Sequence, residues 1–288
     1  MKYRPIYFLV SGIIIITGLF SLFKWGLNLG VDFKGGAILE YKFSNDISTE
    51  EITGEIEKNG ISLTSIQLVN EKDYLFKLPP ISSEEKDELK ELLTNFSEGE
   101  VEELRFENVG PTIGPELIKK TLVALSISAS LILLWVAYQF KSFKFGVSAT
   151  LATLHDSLVV TGIYSLLGHF FGAEVDFLFV TALLTILSFS VHDTIVVYDR
   201  IRESQKKYGG ELYDLANKAL SETMVRSLNN SFTIIFMLAA LLLLGGTTIK
   251  WFAATLLIGT ISGTYSSPFV AVPILITWDE IEKKIKKR

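Results

Sequence analysis

The sequence predicts an α-helical polytopic membrane protein with one solvated α+β domain inserted after its first helix, and three observations carry that prediction. The 288-residue chain is 49% hydrophobic with a positive mean hydropathy. It contains six long apolar runs, and the block between the first and second of them, residues 27–118, is far more polar than its surroundings. Such a composition is foreign to a soluble domain and ordinary for a chain that crosses a bilayer several times. The chain has no cysteine, which excludes disulfides, cysteine-ligated zinc, iron–sulfur clusters and thiol catalysis. The three histidines, His155, His169 and His192, do not make a His-rich metal site, and neither a metal nor a cofactor is expected.

The first run, 6–26, follows the basic start Met1-Lys2-Tyr3-Arg4-Pro5. It exceeds the apolar core of about 7 to 15 residues of a signal peptide. Lys24-Trp25 stands at its far end as an interfacial anchor, so residues 1–26 are read as a cytoplasmic start and an uncleaved first span. The later runs are 121–140, 145–171, 177–198, 231–246 and 251–278. A span needs about 20 apolar residues, so the short fifth run must take residues from its amino-terminal flank. The second to sixth helices then occupy 119–278, with a cytoplasmic loop at 199–225 and a basic tail at 279–288. Lysine and arginine set the orientation. One side receives Lys2 and Arg4, Lys141 and Lys144, the cluster from Arg200 to Arg226, and Lys283 to Arg288, whereas the opposite short loops hold only Lys250. The expected location is the cytoplasmic membrane, multi-pass, with both termini cytoplasmic.

Residues 27–118 fall outside and hold 8 Lys/Arg against 20 Asp/Glu, a net charge of −12. Residues 37–43 are rich in strand formers. Ser48-Thr49-Glu50-Glu51 opens an amphipathic helix that Asn59-Gly60 ends. Two short strands, 62–69 and 74–78, flank the polar turn 70–73. A second helix starts at the cap Ser82-Ser83-Glu84-Glu85 and runs to about Phe96, and 101–109 is the last strand. The order β-α-β-β-α-β is that of a ferredoxin-like unit. Its acidity either keeps a solvated module soluble or steers a partner or an emerging chain.

Carboxylates inside the apolar runs are the functional candidates, because each costs roughly 2.5 to 3.5 kcal/mol in mid-bilayer on insertion scales. Asp156 lies about 16 Å into the third helix, near the midplane. Asp193 lies about 9 Å from the cytoplasmic end of the fourth, and Arg226 opens the fifth from the same side. Asp193 and Arg226 form either a structural ion pair, with Ser190, Thr194, Asn229, Asn230 and Ser231 satisfying leftover groups, or a proton-linked pair. Asp156 is either a second relay group or a structural one bonded to Ser157, Thr161 or a neighbouring backbone carbonyl. Adjacent residues on a helix point about 100° apart, so the dipeptides His155-Asp156 and His192-Asp193 are poorly placed to share one ion. Gly259 and Gly263 form a GxxxG that marks a close helix contact in the sixth span.

The chain resembles the SecF family of protein-export membrane proteins. The resemblance rests on Gly30-Val31-Asp32-Phe33-Lys34-Gly35-Gly36, Val109-Gly110-Pro111-Thr112-Ile113-Gly114 and His155-Asp156. It continues through Asp193-Thr194-Ile195-Val196-Val197-Tyr198-Asp199-Arg200-Ile201-Arg202-Glu203 and Arg226-Ser227-Leu228-Asn229-Asn230-Ser231, then Gly245-Gly246 and Gly263-Thr264-Tyr265-Ser266-Ser267. It implies an RND-type membrane fold and a pseudo-symmetric six-helix partner, SecD. It also implies work with the SecYEG translocon on a translocating preprotein, driven by protons, and no enzymatic activity. In that family the carboxylate of the fourth helix and the arginine of the fifth are the proton-linked pair, which are Asp193 and Arg226 here. Asn229-Asn230 and Tyr198 depart from the family's usual residues without touching that pair. Two alternatives remain: a passive assembly subunit, and a component of an RND-type small-molecule transporter.

Overall fold

The computed structural model describes residues 1–110 and 113–286. Pro111 and Thr112, in the motif ahead of the second span, and Lys287 and Arg288, in the basic tail, lie outside the described residues. In chain order the elements are α1 (Arg4–Trp25), α2 (Val31–Lys34), β1 (Gly36–Phe43), α3 (Thr49–Lys58), β2 (Ser65–Leu68), β3 (Asp73–Leu78), α4 (Ser83–Ser97) and β4 (Val101–Val109). They continue with α5 (Ile113–Phe140), α6 (Phe143–Phe171), α7 (Phe177–Tyr208), α8 (Leu212–Leu244), α9 (Thr247–Ser266), a π turn (Ser267–Ala271) and α10 (Val272–Lys286). They divide into two compact units, one of Leu29–Leu122 with Val175–Phe177, the other of the remaining described residues.

The first of these units is an antiparallel four-stranded sheet of order β2-β3-β1-β4 with two helices. The expected β-α-β-β-α-β order is the observed one. Alternation decides which face is buried: Ala37, Leu39, Tyr41 and Phe43 of β1 and Tyr74, Phe76 and Leu78 of β3 pack against Ile52, Ile56, Leu89 and Leu93 of the helices. Each leucine, isoleucine and phenylalanine among them contributes about 1.5 to 3 kcal/mol when fully buried. Both helices begin in a capping box, Ser48 with Glu51 and Ser82 with Glu85, as the sequence predicts. Burial, then the charges of Glu103 and Asp87, pushes the Tyr41 hydroxyl's pKa up, and that hydroxyl has no hydrogen-bond partner among the described residues. On β4 a hydrogen bond from Lys86 to Glu103 (3.0 Å) raises the lysine's pKa.

The glycine motif that opens this unit folds into a short helix the sequence analysis does not anticipate. Gly30 N–H donates to Val175 O (2.8 Å), and Asp32 Oδ2 accepts from the Phe177 N–H (2.8 Å), placing a carboxylate at the start of α7. Gly35 and Gly36 have φ of 82° and 143°, and a Cβ on Gly36 would sit 2.7 Å from Leu78 O. Only glycine fits both demands at position 36.

In the other unit, five helices are long and apolar enough to cross a membrane: α1, α5, α6, α7 and α8. The sixth expected span, 251–278, is α9 and α10 joined by the π turn, with Pro268 and Pro273 withholding backbone donors there. Two expectations need correction. The helix that holds the fifth apolar run, α8, begins at Leu212, ahead of Arg226 where the sequence opens it, and the segment expected as a cytoplasmic loop, 199–225, is not irregular. It is helical except at 209–211, because its charges are satisfied within a helical hairpin. Arg200 bonds Glu203 (2.6 Å) and Glu222, and Arg202 bonds Asp199 (2.7 Å). Half of the most apolar stretch of α6 is buried but only 6% of that of α5, so α6 is central and α5 peripheral. α1 lies against α6 through a small-residue seam, where a Cβ on Gly162 would meet Gly18 Cα at 2.5 Å and Ser21 bonds Ser165 (2.7 Å).

Candidate functional site

Two helices, α7 and α9, bring hydroxyls around Asp156 of α6, which is fully buried. Ser190 of α7 and Ser266 of α9 each donate to its Oδ2 at 2.6 Å, and Ser262 of α9 donates to Oδ1 at 2.6 Å. Ser262 and Ser266 can both reach it because they are four residues apart, on one face of α9. His155 Nδ1 stands 3.1 Å from Oδ1. The sequence expectation for Asp156 is corrected here: Ser157 and Thr161 donate to carbonyls of their own helix, at Thr153 and Ser157, and the partners of Asp156 are serines of neighbouring helices. The two members of the His155-Asp156 dipeptide therefore also meet, although adjacent helix positions point about 100° apart.

Two further hydroxyl links surround this cage. Thr194, one turn after Ser190, lies 3.0 Å from Ser267 of the π turn. Tyr198, one turn further on, lies 2.7 Å from Ser148 of α6 with its ring against Phe140 and Phe145. The GxxxG is part of the same contact: a Cβ on Gly259 would fall 2.2 Å from Ile186, and Gly263 lies against Ser190. A side chain there would hold α9 away from α7 and the serines away from Asp156.

Asp193 is 4% exposed and turned toward α8, where Ser227 donates to its Oδ2 at 2.8 Å. No salt bridge joins it to Arg226 among the described residues, and Arg226 is exposed on the outer side of α8. The expected ion pair is therefore not formed in this arrangement. Ser227 occupies the helix position that faces Asp193, and Arg226, one residue earlier, is rotated by about 100°. Nor do the other expected neighbours serve Asp193: Ser190 is on Asp156, Thr194 on Ser267, Ser231 accepts from Thr264 (2.7 Å), and Asn229 and Asn230 are exposed. Asp199 and Arg200 are in the hairpin ion pairs, and Asp32, Gly35 and Gly36 are in the glycine motif of the other unit.

Sequence reasoning missed Ser227, Ser262 and Ser266 as partners of the carboxylates. The available signal was the i, i+4 spacing of Ser262 and Ser266 on either side of Gly263. Among the described residues, no group of three or more His, Cys, Asp or Glu side chains is placed to hold a metal.

A unit with five helices long and apolar enough to cross a membrane and two buried carboxylates, joined in one chain to a four-stranded α+β unit, defines a class of polytopic membrane protein. Residues 88–281 match the family described as protein export membrane protein SecD/SecF, C-terminal, and residues 20–47 match the SecD/SecF GG motif. The chain is 41% identical to the protein translocase subunit SecF of Thermobaculum terrenum, over 97% of this chain and 93% of that one. It is 36% identical to the SecDF subunit of Thermus thermophilus, over 91% of this chain and 36% of that longer protein. The crystal structure of SecDF, a translocon-associated membrane protein from that organism, superposes with a TM-score of 0.81 and 33% identity, over 97% of this chain and 39% of that one. The chain belongs to the SecD/SecF family of protein export membrane proteins, in its SecF branch.

Proposed function

We propose that this chain is the subunit through which the proton motive force promotes late translocation of a preprotein across the cytoplasmic membrane, working with SecD and the SecYEG translocon. The observation that carries this reading is Asp193: a buried carboxylate in a membrane helix, held by one serine hydroxyl and by no salt bridge among the described residues. Such a group is seldom kept in hydrocarbon without a task. In this reading Asp193 gains and loses a proton as water reaches it from either side. Arg226 pairs with it in one helix arrangement, and the observed one, with Ser227 in that place, is the other. Asp156 is the second relay group. The gradient supplies about 2.3 kcal/mol per charge per 100 mV, enough to bias a two-state element.

SecD is the partner this reading requires, and relatives in which both are fused into one chain support it. So does the outer surface of the helices. Thr181, Thr185, Ser188 and His192 form an exposed polar stripe along α7, and Arg226, Asn229 and Asn230 are exposed on α8. Hydrocarbon is a poor neighbour for these groups, whereas a second membrane protein or water suits them. Both termini are cytoplasmic and residues 27–118 external, by the distribution of lysine and arginine.

The test is export of a secretory protein by membrane vesicles holding this chain and SecD, comparing wild type with Asp193→Asn, with and without a proton gradient. The level of the variant and its association with SecD are measured in the same samples. The expected outcome is normal assembly with loss of the gradient-dependent part of export. Normal assembly with export like wild type in both conditions refutes the proton-driven reading and leaves a passive assembly subunit.

A further inference from the structure

The imidazole of His155 is 6% exposed, and its Nε2 is buried with no hydrogen-bond partner among the described residues. Buried polar atoms are nearly always satisfied, so an orphan beside a buried carboxylate calls for a reason. Where Asp156 is ionised it only accepts hydrogen bonds, and the ring nitrogen facing it, Nδ1, then carries the hydrogen and leaves Nε2 as a bare lone pair. We propose that His155 and Asp156 form a second proton site of this chain, loaded at Nε2 of His155 and read out by the serines of α9. The site's geometry stands by itself, but its use in export rests on the proton-driven reading above.

The chemistry balances simply. Nε2 takes a proton delivered as hydronium and leaves a water molecule, the ring becomes an imidazolium, and the pair, with Asp156 ionised, changes from one negative charge to none. The contact from Nδ1 to Oδ1, now 3.1 Å, becomes a charge-assisted bond of about 2.7 to 2.9 Å. Ser262 donates to that same oxygen, whereas Ser190 and Ser266 share Oδ2. Loading the histidine therefore competes with Ser262 and leaves the other two serines in place. The bond that weakens lies between α6 and α9, one turn ahead of Ser266 and the π turn at Ser267, so the proton's arrival is felt where α9 changes its winding. The titratable groups facing the pair are few. Tyr265 of α9 has its ring centroid 6.4 Å from that of His155, and its hydroxyl donates to Tyr7 O (3.1 Å) and lies 3.3 Å from Ser11 on α1. Between Arg4 and Lys24, Tyr7 is the one titratable side chain on α1. On α7, Asp193 follows Ser190 by three residues and turns to Ser227.

The chain has only three histidines, which makes the test direct. The full chain with SecD, in lipid nanodiscs and labelled with nitrogen-15 at histidine, is studied by nuclear magnetic resonance in a His169→Gln, His192→Gln background. The remaining signal is assigned by its loss in His155→Gln. The expected result is a neutral ring protonated at Nδ1 with a bare Nε2, which gains its proton as the sample is acidified. A hydrogen on Nε2 in the neutral form overturns the proposal, as does a ring that stays unchanged on acidification down to the pH at which the chain unfolds. A second arm compares gradient-dependent export by His155→Gln and Asp193→Asn at matched level and SecD association. Loss in both supports a second site on the same cycle. Wild-type export by His155→Gln beside loss in Asp193→Asn removes His155 from the cycle and leaves the proton-driven reading intact.

Discussion

Two buried aspartates with different surroundings are the residues on which the molecule's behaviour turns. Among the described residues, Asp156 accepts from three serines and lies 3.1 Å from His155 Nδ1, whereas Asp193 accepts from one serine. Removing the first strands its donors: Asp156→Ala leaves three serine hydroxyls without their acceptor, each at about 1 to 3 kcal/mol. Thermal unfolding in detergent is expected to show Asp156→Ala clearly destabilised and Asp193→Asn within about 1 kcal/mol of wild type; equal losses would contradict the contrast. At Tyr41 the same reasoning runs the other way, because its hydroxyl is buried without a partner among the described residues. Tyr41→Phe is expected to keep or raise stability, and a loss beyond about 1 kcal/mol would mean that the hydroxyl is satisfied in solution. The carboxylates were legible in the sequence because charge inside an apolar run is conspicuous. Their serines were not, since serine is ordinary in membrane helices and only packing reveals which ones share a centre. That Ser227 and not Arg226 meets Asp193 in this arrangement was equally illegible, because the two neighbours differ by about 100° around the helix.

At the level of elements, close approach decides more than apolarity. The α1–α6 seam depends on Gly18 and Gly162 touching through their backbones. Gly162→Val inserts a branched side chain where no flexible neighbour can yield, and a cost of about 1 to 3 kcal/mol is expected, read as a lower unfolding temperature. Wild-type stability in that variant would show that the seam is looser than described. Helix existence and type followed from periodicity and caps, and both capping boxes formed where the sequence placed them. Helix length did not. α7 runs ten residues past its apolar run, from Tyr198 to Tyr208, because its arginines find carboxylates one turn away and on α8. The π turn was equally hidden: two prolines predict a disturbance, but not a wide turn that keeps the helix going.

For the molecule as a whole, the sequence showed two kinds of solvent, and the chain divides into two units accordingly. One has its own apolar core under a four-stranded sheet, and the other is a helical assembly with a separate apolar core that contains the buried carboxylates discussed above. What the sequence could not display is incompleteness. Polar stripes on α7 and α8 became visible only when burial sorted the inward residues from the outward ones. In the reading proposed above they face SecD, which relatives fused into one chain support, and the central claim of that reading is that a proton on Asp193 drives the assembly. Infrared difference spectroscopy of the chain with SecD in lipid tests that claim most directly, by following the carbonyl stretch of a protonated carboxylic acid as the pH is lowered. The account predicts a band that appears in wild type and is missing from Asp193→Asn. The same band in both proteins, or none in either, would contradict it.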